Sequence, residues 1–309
     1  MKTCKRPIVT IGICVKNCEA SIKEAVESVL AQDFPHRSIE IIFVDDGSED
    51  NTLSILQGYV ERARADMRVK LYANEWKGLG ATRNMVVDNA NGDYIVWVDG
   101  DMMLPRDHVR RQVQFMEQNA KVGIAKARYG ISLGEGLIAF LENIVDATED
   151  AIAERARTHE WKTDLKLPGT GGTIYRIAAI RQVGGFDDSL KRVGEDQDAA
   201  YRIKKAGWSI CRTEVFFYER RRLKSWKSLW DKYFWYGYDH YRLYRRNRSL
   251  FIFYKMVPPA GFIAGLLYSI IAYRLMRRKA VFLLPFQYAF KMTAWSLGFL
   301  KSQMTFKGR

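Results

Sequence analysis

Cysteine is scarce in this chain of 309 residues, which has only Cys4, Cys14, Cys18 and Cys211. Four are too few for a disulfide scaffold, and no Cys-x-x-Cys pair suggests a structural zinc site. Reduced thiols in a reducing compartment are expected. Internal repeats and low-complexity linkers are absent as well. With 48% hydrophobic and 27% charged residues, a disordered or collagen-like chain is excluded. The N-terminus lacks the pattern of a signal peptide. Met1 to Arg6 is basic, but the apolar run after it is too short and has no cleavage site. Acidic residues are nearly missing from the last third: Glu214 to Arg309 holds 19 basic and 4 acidic residues, a net of +15. Met1 to Thr213 holds 30 basic and 31 acidic residues, a net of −1. A nucleic-acid-binding or nucleotidyl-transferring protein would line its catalytic part with Lys and Arg, so no nucleic-acid partner is expected. The excess sits with the most apolar stretches, which points to a membrane surface.

What is present alternates between two periodicities. Ile8–Val15, Ile39–Val44, Val69–Tyr72 and Tyr94–Val98 read as strands, the longer ones apolar on both faces. Ala20–Ala31, Thr52–Ala63 and Ala81–Ala90 read as helices between them. Buried strands separated by helices of about ten residues predict an α/β protein with a doubly wound, mostly parallel sheet flanked by helices. Further on, helices are expected over Arg106–Asn119, Leu137–Thr158 and Asp196–Ala206, the last closed by Gly207, with a short strand at Thr173–Arg176.

Ligands of open α/β sheets bind beyond the carboxyl ends of the strands. Asp45-Asp46-Gly47-Ser48 stands at one such end. Helix capping by Ser48 or Asp50 explains the later residues of that run, but not two adjacent carboxylates. Asp99-Gly100-Asp101 follows another strand, and two carboxylates flanking a glycine can hold a hard divalent cation. Gly78-Leu79-Gly80 has Arg83 where a dinucleotide fingerprint needs its third glycine, which excludes an NAD site. Arg83, one turn into a helix, suits a phosphate or a base edge.

Together with Ala81-Thr82-Arg83-Asn84, Thr170-Gly171-Gly172 with Arg176, Gly184-Gly185-Phe186-Asp187, and Gly194-Glu195-Asp196-Gln197-Asp198 with Arg202, these motifs occur in one order over about Ile8 to Trp208. In that order and spacing the chain resembles the family 2 glycosyltransferases of the GT-A fold. The resemblance implies an inverting transfer from a nucleotide-sugar donor. Asp45, Asp46, Arg83, Asp99, Gly171, Gly172 and Arg176 would form the donor site, and Asp101 with Asp99 would bind Mg²⁺ or Mn²⁺. It maps the base onto Asp196, beside Glu195, at a helix N-terminus whose dipole favours an ionised carboxylate. The Gln-x-x-Arg-Trp motif of processive relatives has no counterpart in Leu229–Gly237, so transfer of one sugar is expected. The Gly-Gly-Phe-Asp and Glu-Asp signatures favour a glycan or lipid-linked saccharide as acceptor over a bare polyprenyl phosphate. GT-A enzymes sometimes add a late histidine to the metal, for which His240 is the candidate.

Two apolar runs follow, Phe251–Tyr273 and Ala280–Leu300, each long enough to cross a bilayer. Pro258-Pro259 should break the first near its start, and Lys291 interrupts the second. Arg274 and Arg277 to Lys279 make the connection basic, against the bias for a translocated loop. The expected organisation is therefore a catalytic domain over 1–215, a basic aromatic segment over 216–250, and a membrane-associated tail over 251–309. The catalytic domain is expected on the cytoplasmic side of the cell membrane.

Overall fold

The computed structural model describes residues 8–130, 136–155, 167–220, 225–251 and 256–307. The first half runs β1 (Val9–Val15), α1 (Ile22–Leu30), β2 (Ile39–Asp45), α2 (Thr52–Ala63), β3 (Arg68–Ala73), α3 (Leu79–Asn89), β4 (Tyr94–Val98) and β5 (Met102–Met103). It continues through α4 (His108–Gln118), β6 (Val122–Tyr129), α5 (Leu137–Arg155), β7 (Thr173–Arg176), α6 (Ile177–Gln182), α7 (Glu195–Lys205) and β8 (Ser209–Glu219). Three long helices end it: α8 (Trp226–Arg246), α9 (Pro258–Met276) and α10 (Leu284–Lys307).

The strands form one sheet in the order β3-β2-β1-β4-β7-β6-β8-β5. β1, β2 and β4 are buried along their whole length, as continuous apolar runs require when helices cover both faces. β3-β2-β1-β4 pair in parallel, β7 runs antiparallel to β4 and β6, and β5 antiparallel to β8. The chain moves outward from β1 to β3 and returns to β4 on the other side of β1. That reversal opens a crevice where β1 and β4 end, because their neighbouring connections leave to opposite faces. In register, Val15 lies opposite Asp45 and Ile13 opposite Val98, so the loops after all three strands emerge on one side.

Three strands are absent from the sequence reading, the two-residue β5 among them. β6 carries Gly123, Ala125, Lys126 and Ala127, weak strand formers that are ordered by pairing with β7 and β8. β8 alternates buried and exposed residues over its second half, and crosses the 215/216 division expected from composition.

The C-terminal helices pack on the sheet body and on one another. Gly237 and Gly298 let α8 and α10 approach backbone to backbone, since a Cβ at either would overlap a carbonyl of the other helix. Trp295 and Phe299 of α10 are core residues, and Lys291 is not a solvent interruption. Its Nζ lies 2.7 Å from Glu142 Oε1 of α5, with Gln287 and Tyr233 donating to the same carboxylate at 3.1 and 3.0 Å. Pro258 begins α9 rather than breaking it, the first helical position being the one where proline has no lost N–H. Among the described residues α9 is the one helix long and apolar enough to cross a membrane, with a mean hydropathy of 1.4 over an 18-residue window. Only 22% of that window is buried, and Ile263, Leu266, Leu267 and Ile270 stand exposed along it.

His240 of α8 accepts a hydrogen bond at Nδ1 from Trp295 Nε1 at 2.9 Å and lies in this helical core. Burial holds its pKa down to about 4, from 6.5. His108, fully buried with its Nδ1 2.8 Å from the Phe216 carbonyl, is held down to about 4 by the same loss of solvent. The unfolded chain therefore binds protons that the folded chain refuses between those two values. The two histidines' contribution to stability should fall as pH drops from 6.5 towards 4, by up to about 3 kcal/mol per histidine. Relative to the parent, His240→Phe should lose less stability or gain more between pH 7 and pH 5 in urea denaturation, because buried carboxyls such as Glu195 titrate with the opposite sign in both proteins. The same change in both proteins would place the titration elsewhere.

Candidate active site

A cleft of about 680 Å³ opens at the switch between β1 and β4, within the size range of ligand pockets. Its floor carries Asp99 and Asp101 from the end of β4, and Glu195 and Asp196 from the start of α7. The loop before β7 contributes Gly169, Thr170 and Gly171, and the end of β8 contributes Glu219 and Arg220. A smaller extension of about 220 Å³ runs off it along Asp46, Trp76, Thr82 and Lys191.

The two carboxylates after β2 build the loops of the cleft. Asp45 is 1% exposed, and its Oδ2 accepts the Ser48 N–H at 2.9 Å. Asp46 Oδ1 and Oδ2 accept the N–H groups of Lys77 and Gly78 at 2.8 and 2.9 Å, which fixes the turn into α3. Ser48 and Thr52 accept in turn from Asn17 and Cys18 N–H, stitching the β1 loop to the β2 loop. Asp46 borders the extension, whereas Asp45 lies behind it.

Arg83 is 5% exposed and sits between three elements. Its Nη1 pairs closely with Glu195 Oε1, and its Nη2 is 3.7 Å from Asp99 Oδ1. Its guanidinium is therefore engaged by the protein's own carboxylates. Glu195 is buried; loss of solvent, with help from Asp196, raises its pKa against the pull of Arg83. Asp99, whose side chain is 42% exposed within the cleft, is also raised, chiefly by desolvation and partly offset by Arg83. Asp196 Oδ1 accepts its neighbour's N–H, from Gln197 at 2.7 Å, and its Oδ2 faces Gly169. Asp198 turns away and binds Arg202 Nε at 2.7 Å, and Arg202 in turn holds Val183 and Gly185 carbonyls. Asn84 grips Phe186 at both its N–H and its carbonyl, so the motif at Ala81–Asn84 docks on the Gly184–Asp187 turn.

Gly171 lies against Asp99. A Cβ there would overlap the Met102 methyl and approach Asp99 Oδ2 to 3.1 Å. Lys126, buried in β6, holds the Gly171 carbonyl from beneath, and Gly172 N donates to Trp97 O at 3.2 Å. Gly172 is packed on Phe217 and does not reach the cleft. Arg176, expected in the donor site, is not brought there. It pairs with Tyr94 at the opposite end of β4 and donates to the carbonyls of Val122, Met116 and Asn119 at 3.0, 2.9 and 3.2 Å. His240 lies in the helical core described above, not among the cleft residues.

The structure adds cleft residues that the sequence did not single out: Lys16, Arg192, Glu219, Lys232 and Tyr236, with Trp76 in the extension. Lys16 follows a strand end directly, a position rule that could have found it. The others reach the cleft from distant elements and carry no local signal. Cys14 and Cys18 line the cleft too; burial pushes their thiols up to about 12 and about 11, so neither is a thiolate near neutral pH.

The sequence profile of the family described as Glycosyl transferase family 2 matches residues 10–184. The putative glycosyltransferase EpsE of Bacillus subtilis is 36% identical over 71% of this chain and 84% of its own length. An uncharacterized glycosyltransferase of Haemophilus influenzae is 34% identical over 37% of this chain, a match that spans 44% of that protein. Among solved structures, the mannosyltransferase PcManGT from Pyrobaculum calidifontis, in complex with GDP-Man and Mn²⁺, superposes with a TM-score of 0.64. That likeness covers 97% of this chain and 88% of the other at 18% identity, and shows the shared GT-A fold.

Removing Arg83 should leave Glu195 buried without a counter-charge. Arg83→Met is expected to lower unfolding free energy by about 3–5 kcal/mol in urea denaturation. Adding Glu195→Gln should recover part of that loss. If the double variant is no more stable than the single one, the pair does not carry the coupling.

Proposed function

This chain belongs to glycosyl transferase family 2, and we propose that it transfers a single sugar from a nucleotide-sugar donor to a hydroxyl of a lipid-linked or membrane-proximal glycan, inverting the anomeric carbon. The observation that carries this reading is the convergence of Asp99, Asp101 and Asp196 in one cleft at the switch point of the sheet. A GT-A relative that binds GDP-Man and Mn²⁺ supports a nucleotide-sugar donor and a divalent ion.

Asp99 and Asp101 offer hard oxygen donors for Mg²⁺ or Mn²⁺. Among the described residues no group of three His, Cys, Asp or Glu is placed to hold an ion; an ion at Asp99 and Asp101 would take its other ligands from phosphate oxygens and water. Such an ion, when bound, neutralises charge that develops on the departing diphosphate. Asp46, with the loop it fixes, would border the base, and Gly171 leaves room for the donor sugar beside Asp99.

Asp196 is the base in this reading. It lies at the α7 N-terminus and lines the cleft beside Gly169. It takes the proton of the acceptor hydroxyl as that oxygen forms its bond to the anomeric carbon. The bond from that carbon to the phosphate oxygen breaks, and the electron pair leaves with the nucleoside diphosphate. Glu195, held by Arg83, positions Asp196 and does not reach the acceptor.

The exposed apolar face of α9, followed by Arg274, Arg277, Arg278 and Lys279, supports association with an anionic membrane surface. The catalytic domain would then stand on the cytoplasmic side, next to a lipid-linked acceptor.

Asp101→Ala should abolish the gain in nucleotide affinity that Mn²⁺ provides, measured by calorimetry with UDP and GDP, and leave the melting temperature close to the parent's. Asp196→Asn should keep donor affinity and lower turnover by about 10² to 10⁴. Normal turnover in that variant would remove the base assignment. For the membrane, the full chain should float with vesicles containing anionic lipid, while Ile263→Ser with Leu267→Ser should remain behind. Equal flotation of both would exclude α9 as the contact.

A further inference from the structure

The sequence points to Arg83 as the cation for the donor, but the fold engages Arg83 with Glu195 and Asp99. The diphosphate of a nucleotide spanning the extension and the main cleft must then meet other cations. Five residues line both spaces: Cys14, Val15, Lys16, Leu79 and Arg192. Two of them are charged, both positively. Lys16 leaves the end of β1, and Arg192 comes from the loop before α7, so they approach the junction from different parts of the chain.

Neither makes an ion pair within 4 Å among the described residues, although the charge of Arg192 acts on the buried carboxylate of Asp239 in α8. Both rest on aromatic faces. Lys16 Nζ is 5.9 Å and the Arg192 guanidinium 5.6 Å from the Trp76 ring centre, and Arg192 also lies 4.5 Å from that of Trp235. The Trp76 backbone is fixed in turn, because the two residues after it donate to Asp46 and its own N–H packs on Gly47. A ring face holds a cation weakly at an exposed site, so the contact orients the charge without satisfying it. An arriving phosphate offers charge-assisted hydrogen bonds that are much stronger.

We propose that Lys16 and Arg192 hold the donor's diphosphate, set in place by Trp76 at the junction between the base extension and the carboxylate cleft. The inference rests on the nucleotide-sugar reading above. Arg192 also joins that junction to α8 through Trp235, so donor binding touches the helix that supplies Lys232 and Tyr236 to the other side of the cleft.

The test is calorimetry of the full chain with UDP and GDP, once with Mn²⁺ and once with EDTA. Lys16→Gln and Arg192→Gln should each weaken the bound nucleotide by about tenfold or more. The fold gain from adding Mn²⁺ should persist, which separates these residues from metal ligands. Lys16→Arg and Arg192→Lys should retain most of the affinity. If the parent binds neither nucleotide, the donor reading fails and this proposal with it. If the parent binds but both glutamine variants bind equally well, the proposal alone is overturned. Loss of affinity only in Mn²⁺ would also overturn it, because the residues would then be acting through the ion.

Discussion

Like charges drawn into one crevice are the constraint around which this site is built. The sheet reversal brings Asp99, Asp101, Glu195 and Asp196 into one cleft, and mutual repulsion together with lost solvent would drive the buried ones to protonate. Arg83 is the internal answer. Fixed in α3, it engages Glu195 at the head of α7 and approaches Asp99 at the end of β4, so three elements are tied by one guanidinium. A planar, permanently charged group suits that place; a lysine in the same apolar surroundings would tend to lose its proton. Asp101 and Asp196 line the same cleft.

A second buried pair does similar work for the C-terminal helices. Glu142 of α5 and Lys291 of α10 are each almost fully buried, and Gln287 and Tyr233 share the carboxylate. Burying such a pair gains little net stability over apolar packing, but either partner alone would be strongly unfavourable. We read it as a register device: α10 can seat against α5 and α8 in one arrangement. That arrangement leaves the exposed face of α9 outward while Trp295 and Phe299 face inward. Catalytic body and apolar helix are thus one packed unit.

The legible parts of the fold are those where one local signal suffices. β1, β2 and β4 are continuous apolar runs, and the carboxylates that matter directly follow two of them. β6 was not legible because alanine, glycine and lysine take up a strand only between partners already formed. Arg176 shows the opposite failure. It stands four residues after Gly172 in sequence, yet extended chain covers roughly 10 Å over Thr173 to Arg176, which carries it to the far end of the sheet. Asp196 and Asp198 stand two positions apart at the head of α7, so helix geometry turns Asp198 to Arg202 while Asp196 lines the cleft.

What the sequence determined by itself was the sheet class, the family motifs and the carboxylates at the strand ends, because these follow from hydrophobic periodicity and from residue types adjacent in the chain. Tertiary structure alone decided which charges neutralise one another. Arg83 meets Glu195 across 112 positions, Lys291 meets Glu142 across 149, and Lys16 and Arg192 meet over Trp76 from separate loops. Electrostatic pairing depends on distance in space and on loss of solvent, and neither quantity is written in the order of residues along the chain.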